Sequence, residues 1–286
     1  MNYDIIEQIY NEIFLNLRMP NIDLFLCGGA STKDKTSTRD LLRRRLENNQ
    51  KLSIFYPEDM FMELLSRKKY DLLTLETFLA RNSDIIMIVC ESPGSFAELG
   101  AFVNNEETLS KVVVLLPTKY KNAKSFITQG PVQYVKSINK GNVIYYNKDI
   151  GELEATVNKF LLGKYKKAKR GQKGLDLISG QFNFIVLVMY FFKNVKVEDL
   201  SNILELLYQK YPDKKDFDIL YRAAIKRLYK VGFLKKKINR EAENGCYELT
   251  TKGYAYAERL LLAVEIEKRD TIINGIRLDI IRGQYY

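Results

Sequence analysis

Short apolar runs alternate with amphipathic segments along the first half of the chain. Five of these runs predict β-strands, at Ile22–Cys27, Leu52–Tyr56, Asp84–Cys90, Lys111–Leu116 and Asn142–Tyr146. Because the runs are almost continuously apolar, they are typical of strands buried on both faces, as in a parallel sheet. Helix-like stretches lie between them. This alternation predicts an α/β fold with a doubly wound parallel sheet.

Prolines stand just beyond three of the candidate strands, at Pro57, Pro93 and Pro117. Proline cannot donate to a strand ladder, so these positions suit strand exits. In an open parallel sheet the ligand crevice lies beyond the carboxyl ends of the strands. We therefore expect the segments after Cys27, Phe55, Cys90 and Leu116 to converge on one site.

The second half of the chain has helix-period patterns near Phe182–Phe192, Lys196–Gln209 and Phe217–Val231. Two strand-like runs follow, and a last helix begins near Thr250. The order helix, helix, helix, hairpin, helix predicts a mainly α winged helix-turn-helix domain. The expected division is a sheet domain at 1–165, a lysine-rich linker at 166–174 and the winged helix at 175–286.

The composition limits which partners and which catalytic groups the protein can use. The 286 residues carry a net charge of +10, which favours nucleic acid or another polyanion as a partner. Histidine is absent, so acid–base chemistry must come from carboxylates, tyrosines, lysines or water. The three cysteines are far apart and predict neither a disulfide framework nor a zinc site. No apolar run approaches the ~20 residues of a membrane span, and no signal peptide is evident, so we expect a cytoplasmic protein without membrane contact.

The first candidate strand ends in Cys27-Gly28-Gly29, and a helix follows near Arg39–Leu46 with Ser37 as its cap. Glycines let a ligand approach the backbone, and helix N-termini favour anions. This pattern is also that of an ordinary strand-to-helix connection. It matches neither GxGxxG nor a P-loop.

A more informative segment runs from Glu91 to Gly100 and includes Ser92, Gly94 and Ser95 before Glu98. Ser95 and Glu98 have the spacing of a capping box, which is the structural explanation for both residues. The capping box does not explain Glu91, which stands at a strand end above the crevice. In the first turn of a helix, the Glu98 carboxylate would be kept ionised by the helix dipole, as a nucleophile or a group facing an oxocarbenium ion requires.

Other acidic residues follow the second strand or precede the third. Tyr56, Glu58 and Asp59 come directly after the second strand, where the acids could bind ribose hydroxyls, or Pro57 could simply start a helix. Glu76 lies in the next helical stretch, and its spacing alone predicts a solvated helix face.

A group of cations belongs to the predicted winged helix. They comprise Arg222, Lys226, Arg227, Lys230, Lys235, Lys236 and Lys237. Together they could face the phosphates of nucleic acid. A solvated basic face in a winged helix that binds protein is the alternative.

Several ordered motifs carry a resemblance to known families. They are Phe25–Gly29, Ile54–Phe61, Glu91–Phe102, Lys124–Ile127 and Gly130–Val132. The first domain resembles the nucleoside 2-deoxyribosyltransferase superfamily, whose helix motif appears here as Glu98-Leu99-Gly100. The whole chain resembles effectors of retron anti-phage systems that join such a domain to a winged helix.

This resemblance implies roles for particular residues. Glu98 falls on the catalytic glutamate, and Glu76 falls where the transferases carry an acid that protonates or holds the leaving base. Glu58, Asp59, Ser95 and the Gly28-Gly29 turn would line the pocket. Two positions depart from the transferase pattern: Phe25-Leu26 replaces a tyrosine, and Ser92 replaces a second base-holding acid. These departures disfavour base exchange and leave room for a larger, phosphorylated substrate.

For the retron effectors the resemblance implies an N-glycosidase toxin that hydrolyses NAD. It also implies control by a reverse transcriptase and its multicopy single-stranded DNA, with a homo-oligomer or a higher assembly. NAD would be the substrate, so no cofactor and no metal are expected. Two alternatives remain open: a transferase of ribosyl or ADP-ribosyl groups, and a DNA-binding regulator that senses a nucleotide without catalysis.

Overall fold

The computed structural model describes residues 2–18, 21–49, 51–66, 70–167, 173–211, 217–239 and 242–285. The chain forms two compact units, Pro20–Lys169 and Met1–Met19 with Arg170–Tyr286. The sequence-based division assigned the N-terminal segment to the sheet domain. The contacts instead group this segment with the second unit, because its apolar side chains pack on a helix of that unit.

The first unit is built on one five-stranded sheet. Its strands are β1 (Ile22–Gly28), β2 (Leu52–Phe55), β3 (Ile85–Val89), β4 (Val112–Pro117) and β5 (Val143–Tyr146). All strand pairs are parallel, in the spatial order β2-β1-β3-β4-β5. The five predicted strands and the parallel α/β sheet are confirmed. The order reverses direction at β1 and β3, which is where doubly wound sheets bind their ligands.

Helices connect the strands. The chain begins with α1 (Tyr3–Gln8), and the helices of the sheet unit are α2 (Thr38–Leu46), α3 (Pro57–Ser66), α4 (Leu72–Arg81), α5 (Pro93–Val103), α6 (Glu106–Leu109), α7 (Phe126–Gln129), α8 (Pro131–Ile138) and α9 (Ile150–Lys167). The last of these continues to Lys167, two residues into the predicted linker at 166–174. Residues 168–172 of that linker lie outside the described residues.

Alternate residues of β1 face the two layers of helices. Leu24 and Leu26 belong to one buried cluster with side chains of α2 and α9. Phe25 points the other way and makes an edge contact with Phe102 of α5, with ring centroids 5.8 Å apart. Because side chains alternate along a strand, Cys27 shares the face of Phe25. The last side chain of β1 is therefore directed to the α5 side of the sheet.

The second unit is mainly helical. After α1, a π-helical turn (Ile9–Ile13) and a 3₁₀ turn (Phe14–Asn16), it continues with α10 (Ile178–Phe192), β6 (Asn194–Lys196), α11 (Val197–Tyr208), α12 (Phe217–Lys230), β7 (Leu234–Asn239), β8 (Ala242–Leu249), α13 (Thr251–Leu262) and α14 (Arg269–Tyr285). The three strands form an antiparallel sheet in the order β6-β8-β7. The predicted helices, hairpin and last helix are present, and Thr250 caps α13. The sequence pattern did not predict β6 or α14, and it did not predict that α1 belongs to this unit.

Helix α10 is the centre of this unit, and its side chains are buried on almost all sides. Phe184 of α10 contacts the rings of Tyr10 and Phe14, which explains why the N-terminal segment belongs here. The Tyr10 and Tyr211 hydroxyls are 3.0 Å apart. In the described part of the chain, no helix is long and apolar enough to cross a membrane.

Candidate active site

The end of β1 lies very close to two neighbouring segments. Gly28 has a φ of +149°, and a Cβ at this position would lie 3.1 Å from the Cβ atoms of Arg39 and Val89. A Cβ on Gly29 would lie 3.2 Å from the Cβ of Ser92. A side chain at either position would require these neighbours to shift by a few tenths of an ångström, and at Gly28 the positive φ adds backbone strain. The two glycines therefore allow α2 and the loop before α5 to close on the sheet edge.

The N-cap of helix α5 lies three residues before the predicted cap. Ser92 is the N-cap, and its Oγ accepts a hydrogen bond from the Ser95 N–H at 3.2 Å. The buried Ser95 Oγ accepts from the Ser92 N–H and donates to the Ser92 carbonyl. The predicted capping box of Ser95 with Glu98 is wrong, because Pro93 occupies the first helical position and moves the cap to Ser92. Ser92 and Ser95 thus shape the loop, and Gly94 is exposed beside them.

Glu98 lies in the second turn of α5, away from the unpaired amides of the helix start. Its Oε2 is buried and has no hydrogen-bond partner among the described residues. Burial, with the nearby Glu76 carboxylate, raises the pKa of Glu98 to about 7. The expectation that the helix dipole keeps Glu98 ionised is therefore wrong, since desolvation outweighs it. An unsatisfied, partly protonated carboxyl is costly to a fold and typical of a functional site.

Glu76 lies beside Glu98. Burial, followed by the charge of Glu58, raises the pKa of Glu76 to about 7. The Cys27 thiol is also within this field: burial, then Glu98 and Glu76, raise its pKa well above the ordinary value. The solvated face that spacing alone predicted for Glu76 is wrong. The fold brings these acids together at the end of β1.

Arg39 is the cation of this acidic cluster, and sequence reasoning missed it. Its guanidinium donates to Glu58 at 3.0 Å and to Asp40 at 3.1 Å, and its side chain is 9% exposed. Its charge lowers the pKa of both Glu98 and Glu76. Burial raises both pKa values, and the charge of Glu76 adds to the rise at Glu98 while that of Glu58 adds to the rise at Glu76. One feature of the sequence could have indicated it. Arg39 stands just after the Ser37 cap, in the first turn of a helix that starts at the site.

Tyr56 and Asp59 complete this part of the edge. The Arg43 guanidinium lies over the buried Tyr56 ring, with the Arg43 Cζ 3.9 Å from the ring centroid. The same guanidinium donates to Asp59 at 2.7 Å. Asp59 and Glu58 are therefore ion-paired with arginines. To bind ribose hydroxyls as predicted, each carboxylate would have to accept those hydrogen bonds while keeping its ion pair. In the described ranges, no group of acids and cysteines could hold a metal ion.

Glu91 has a role that its position alone did not reveal. Its two carboxylate oxygens accept hydrogen bonds from the backbone N–H groups of Thr38 and Arg39, at 2.8 and 3.0 Å. These are the first amides of α2, the helix N-terminus that the sequence offered to an anionic ligand. A side chain of this chain already occupies that position.

We expect Glu91→Ala to lower the free energy of unfolding by about 1 to 2 kcal/mol, because the α2 amides would be left without their acceptor. Urea unfolding measures this change. Glu91→Gln keeps one acceptor oxygen and should cost less. Unchanged stability combined with a raised KM would instead assign Glu91 to substrate binding.

A family model described as STM3845 retron effector protein matches residues 35–236 of the chain. This match covers more than half of the 286 residues. The chain belongs to the STM3845 retron effector family.

Two Escherichia coli proteins are similar to this effector. One is named as a candidate ribosyltransferase/DNA-binding protein of retron Ec86, and it is 29% identical over 249 residues, 82% of this chain and 78% of that protein. The other, with the same description for retron Ec73, is 34% identical over 137 residues, 45% of this chain and 43% of that protein.

The predicted phosphate-facing cations of the effector have different environments. Arg222 is paired with Asp218 at 2.7 Å. The Arg227 guanidinium lies over the Phe182 ring, so it is less available to a phosphate than predicted. Lys230, at the end of α12, is exposed. In the β7 strand, Lys235 and Lys237 both contact the Glu248 carboxylate, at 3.0 and 3.5 Å.

Lys226 and Lys236 differ from these cations. Both are exposed, and neither forms an ion pair within the described part of the chain. They lie on α12 and β7, the helix and the strand that follow one another in the second unit. Of the seven predicted cations, these two are the most available for a polyanion.

Proposed function

We propose that this retron effector hydrolyses the N-glycosidic bond between nicotinamide and ribose in NAD, with Glu98 as the catalytic carboxylate. The observation that carries the proposal is the buried Glu98 Oε2, which has no hydrogen-bond partner among the described residues. It lies at the carboxyl edge of a parallel sheet, where such folds bind nucleotides. The names of the relatives support chemistry at a ribosyl carbon.

In the proposed reaction, the bond from C1′ to the nicotinamide nitrogen breaks and its electron pair leaves with the base. Nicotinamide carries a positive charge in NAD, so it departs neutral without being protonated. The ionised Glu98 carboxylate attacks C1′ or stabilises the oxocarbenium ion. Water then adds to C1′ and releases a proton. The products are nicotinamide, ADP-ribose and one proton.

The acid cluster sets the protonation state for this step. With a pKa of about 7, Glu98 is substantially ionised at neutral pH, and activity should rise with pH through this range. Glu76 shares the same field and can hold a proton next to it. The charge of Glu76 contributes to the raised pKa of Glu98. Arg39 acts as a positioning residue that favours the charged form of the pair.

Product analysis tests the reaction. The purified full chain is incubated with NAD, and the products are separated by chromatography. The proposal expects nicotinamide and ADP-ribose in equal amounts. Binding of NAD without any turnover would instead favour the nucleotide-sensing regulator.

A ribosyl or ADP-ribosyl transferase is the second candidate, and the names of both relatives favour it. It would use the same carboxylate and replace water by a base, a nucleic acid or a protein. NAD labelled in its adenosine half distinguishes the two reactions. Label on a macromolecule, with little free ADP-ribose, would support transfer.

For the second unit, we propose a winged helix whose α12 and β7 contact the nucleic acid of the retron. The effector would then be held by the reverse transcriptase and its multicopy single-stranded DNA. The order of elements supports this, as do the exposed Lys226 and Lys236.

We expect the double substitution Lys226→Glu with Lys236→Glu to weaken binding of the multicopy DNA. The slope of log K against log salt should fall by roughly 1 for each phosphate that the variant no longer neutralises. Fluorescence anisotropy at several salt concentrations measures both effects. Lys196→Glu is the control, because β6 lies at the opposite edge of the small sheet from β7. Equal affinity and slope in all proteins would favour a winged helix that binds protein.

A further inference from the structure

A cavity opens at the same edge of the sheet, beyond the ends of β3, β4 and β5. Its volume is about 740 Å³, within the range of small-ligand sites. Its wall includes Cys90, Pro117 and Tyr146, which end or directly follow these strands. Glu98 and Glu76 do not line it. The proposed reaction leaves this cavity without a role.

The cavity is positively charged. Lys35, Lys119 and Lys148 line it, all three are exposed, and none forms an ion pair with a described carboxylate. Glu91 is the carboxylate among the lining residues, and the α2 amides already bind both of its oxygens. Three cations without counter-ions around one cavity favour an anionic ligand, and a phosphate is the anion that lysines commonly bind.

Aromatic side chains line the same space. Tyr120, Tyr146 and Phe96 contribute to its wall, and Tyr120 is 37% exposed. The Lys119 ammonium group lies 4.7 Å from the Tyr120 ring centroid, so a cation and an aromatic face are presented together. Aromatic faces stack on nucleobases regardless of their sequence. A ligand with both a phosphate and a base matches these two features.

The cavity wall includes part of the segment that runs from β3 into α5. Cys90 lines the cavity, and burial followed by the charge of Glu98 raises the pKa of its thiol to about 12. Its sulfur is therefore within the electrostatic reach of the Glu98 carboxylate. Phe96 lines the cavity from α5, the helix that carries Glu98, so the cavity and Glu98 share the segment that follows β3.

We infer that this cavity binds the phosphate-bearing adenosine half of the dinucleotide while its nicotinamide ribose lies at Glu98. The inference rests on the proposed function for the identity of the substrate. The lysines would bind the diphosphate and the aromatic side chains would stack on adenine. This arrangement would explain a preference for dinucleotides over single nucleosides.

The test compares two double variants of the full chain. Lys119→Glu with Lys148→Glu changes the cavity, and Lys140→Glu with Lys159→Glu makes the same charge change at lysines that do not line it. Calorimetry with ADP-ribose measures binding without any turnover. We expect the cavity variant to bind roughly 10-fold more weakly or worse, because its glutamates cannot donate charge-assisted hydrogen bonds to the phosphates. The control variant should bind as the wild type does.

Kinetics with two substrates locate the ligand. The cavity variant should have a KM for NAD raised roughly 10-fold with kcat nearly unchanged, and its turnover of nicotinamide riboside should equal that of the wild type. Equal ADP-ribose affinity in both variants would overturn the inference. Weaker binding with an unchanged KM for NAD would also overturn it, by assigning the cavity to a separate nucleotide. If the wild type cleaves no NAD, the proposed function fails, while the calorimetry still decides whether the cavity binds a nucleotide.

Discussion

Glu98→Gln is expected to reduce NAD cleavage by roughly 10³-fold or more, since a positioned carboxylate contributes about this much to glycosidic-bond cleavage. The amide has nearly the same shape, so the pocket is kept while the negative charge next to C1′ is removed. Steady-state kinetics at pH 8, where wild-type Glu98 is mostly ionised, measure the effect. Glu152→Gln, in the first turn of α9, is the matched control and should retain full activity.

The same substitution should stabilise the fold at high pH. The pKa of folded Glu98 is raised to about 7, above its ordinary value of 4.5, so the folded state retains a proton that the unfolded chain releases. Stability contributed by this proton is lost as pH rises from 4.5 through about 7. Thermal melts should therefore show a larger gain for Glu98→Gln at pH 8 than at pH 5. A destabilised variant at both pH values would mean that Glu98 is a structural residue.

Arg39→Met is expected to move the acid limb of the kcat/KM profile to higher pH by roughly 1 unit or more. The substitution removes the positive charge that favours the ionised forms of Glu98 and Glu76. Arg39 lowers the pKa of both Glu98 and Glu76, so without it both carboxyls hold their protons to higher pH. Activity at pH 7 should fall roughly 5-fold or more as a result, and it should recover at pH 9.

Arg39→Lys separates charge from geometry. The lysine keeps the positive charge but lacks the fork that contacts both Asp40 and Glu58. Its profile should therefore lie between those of the wild type and Arg39→Met. An activity decrease that is equal at every pH would show that Arg39 only supports the fold.

The parallel sheet could be predicted from sequence because its strands are apolar on both faces. Every residue of β1 and β3 is buried, so the runs contrast sharply with the helices around them. The N-terminal helix was assigned to the wrong unit for a physical reason. An amphipathic segment such as α1 shows that it buries one face, and it does not show which distant helix covers that face.

The candidate site was only partly predictable. The convergence of Cys27, Tyr56 and Glu98 follows from parallel strands ending at one edge. The protonation of Glu98 was not predictable, because it depends on burial and on Glu76, which reaches the site from another helix. The functions of Glu91 and Arg39 were hidden for the same reason. Each makes its decisive contact with a residue that is distant in sequence.

The most direct test of the central claim is nicotinamide release by the Glu98→Ala protein with and without added formate. Removing the side chain leaves a space next to C1′ that a small carboxylate can enter. We expect negligible release from NAD without formate and a partial, formate-dependent return of release, while wild-type turnover does not respond to formate. Release at the wild-type rate by Glu98→Ala without formate would contradict the assignment of Glu98 as the catalytic carboxylate.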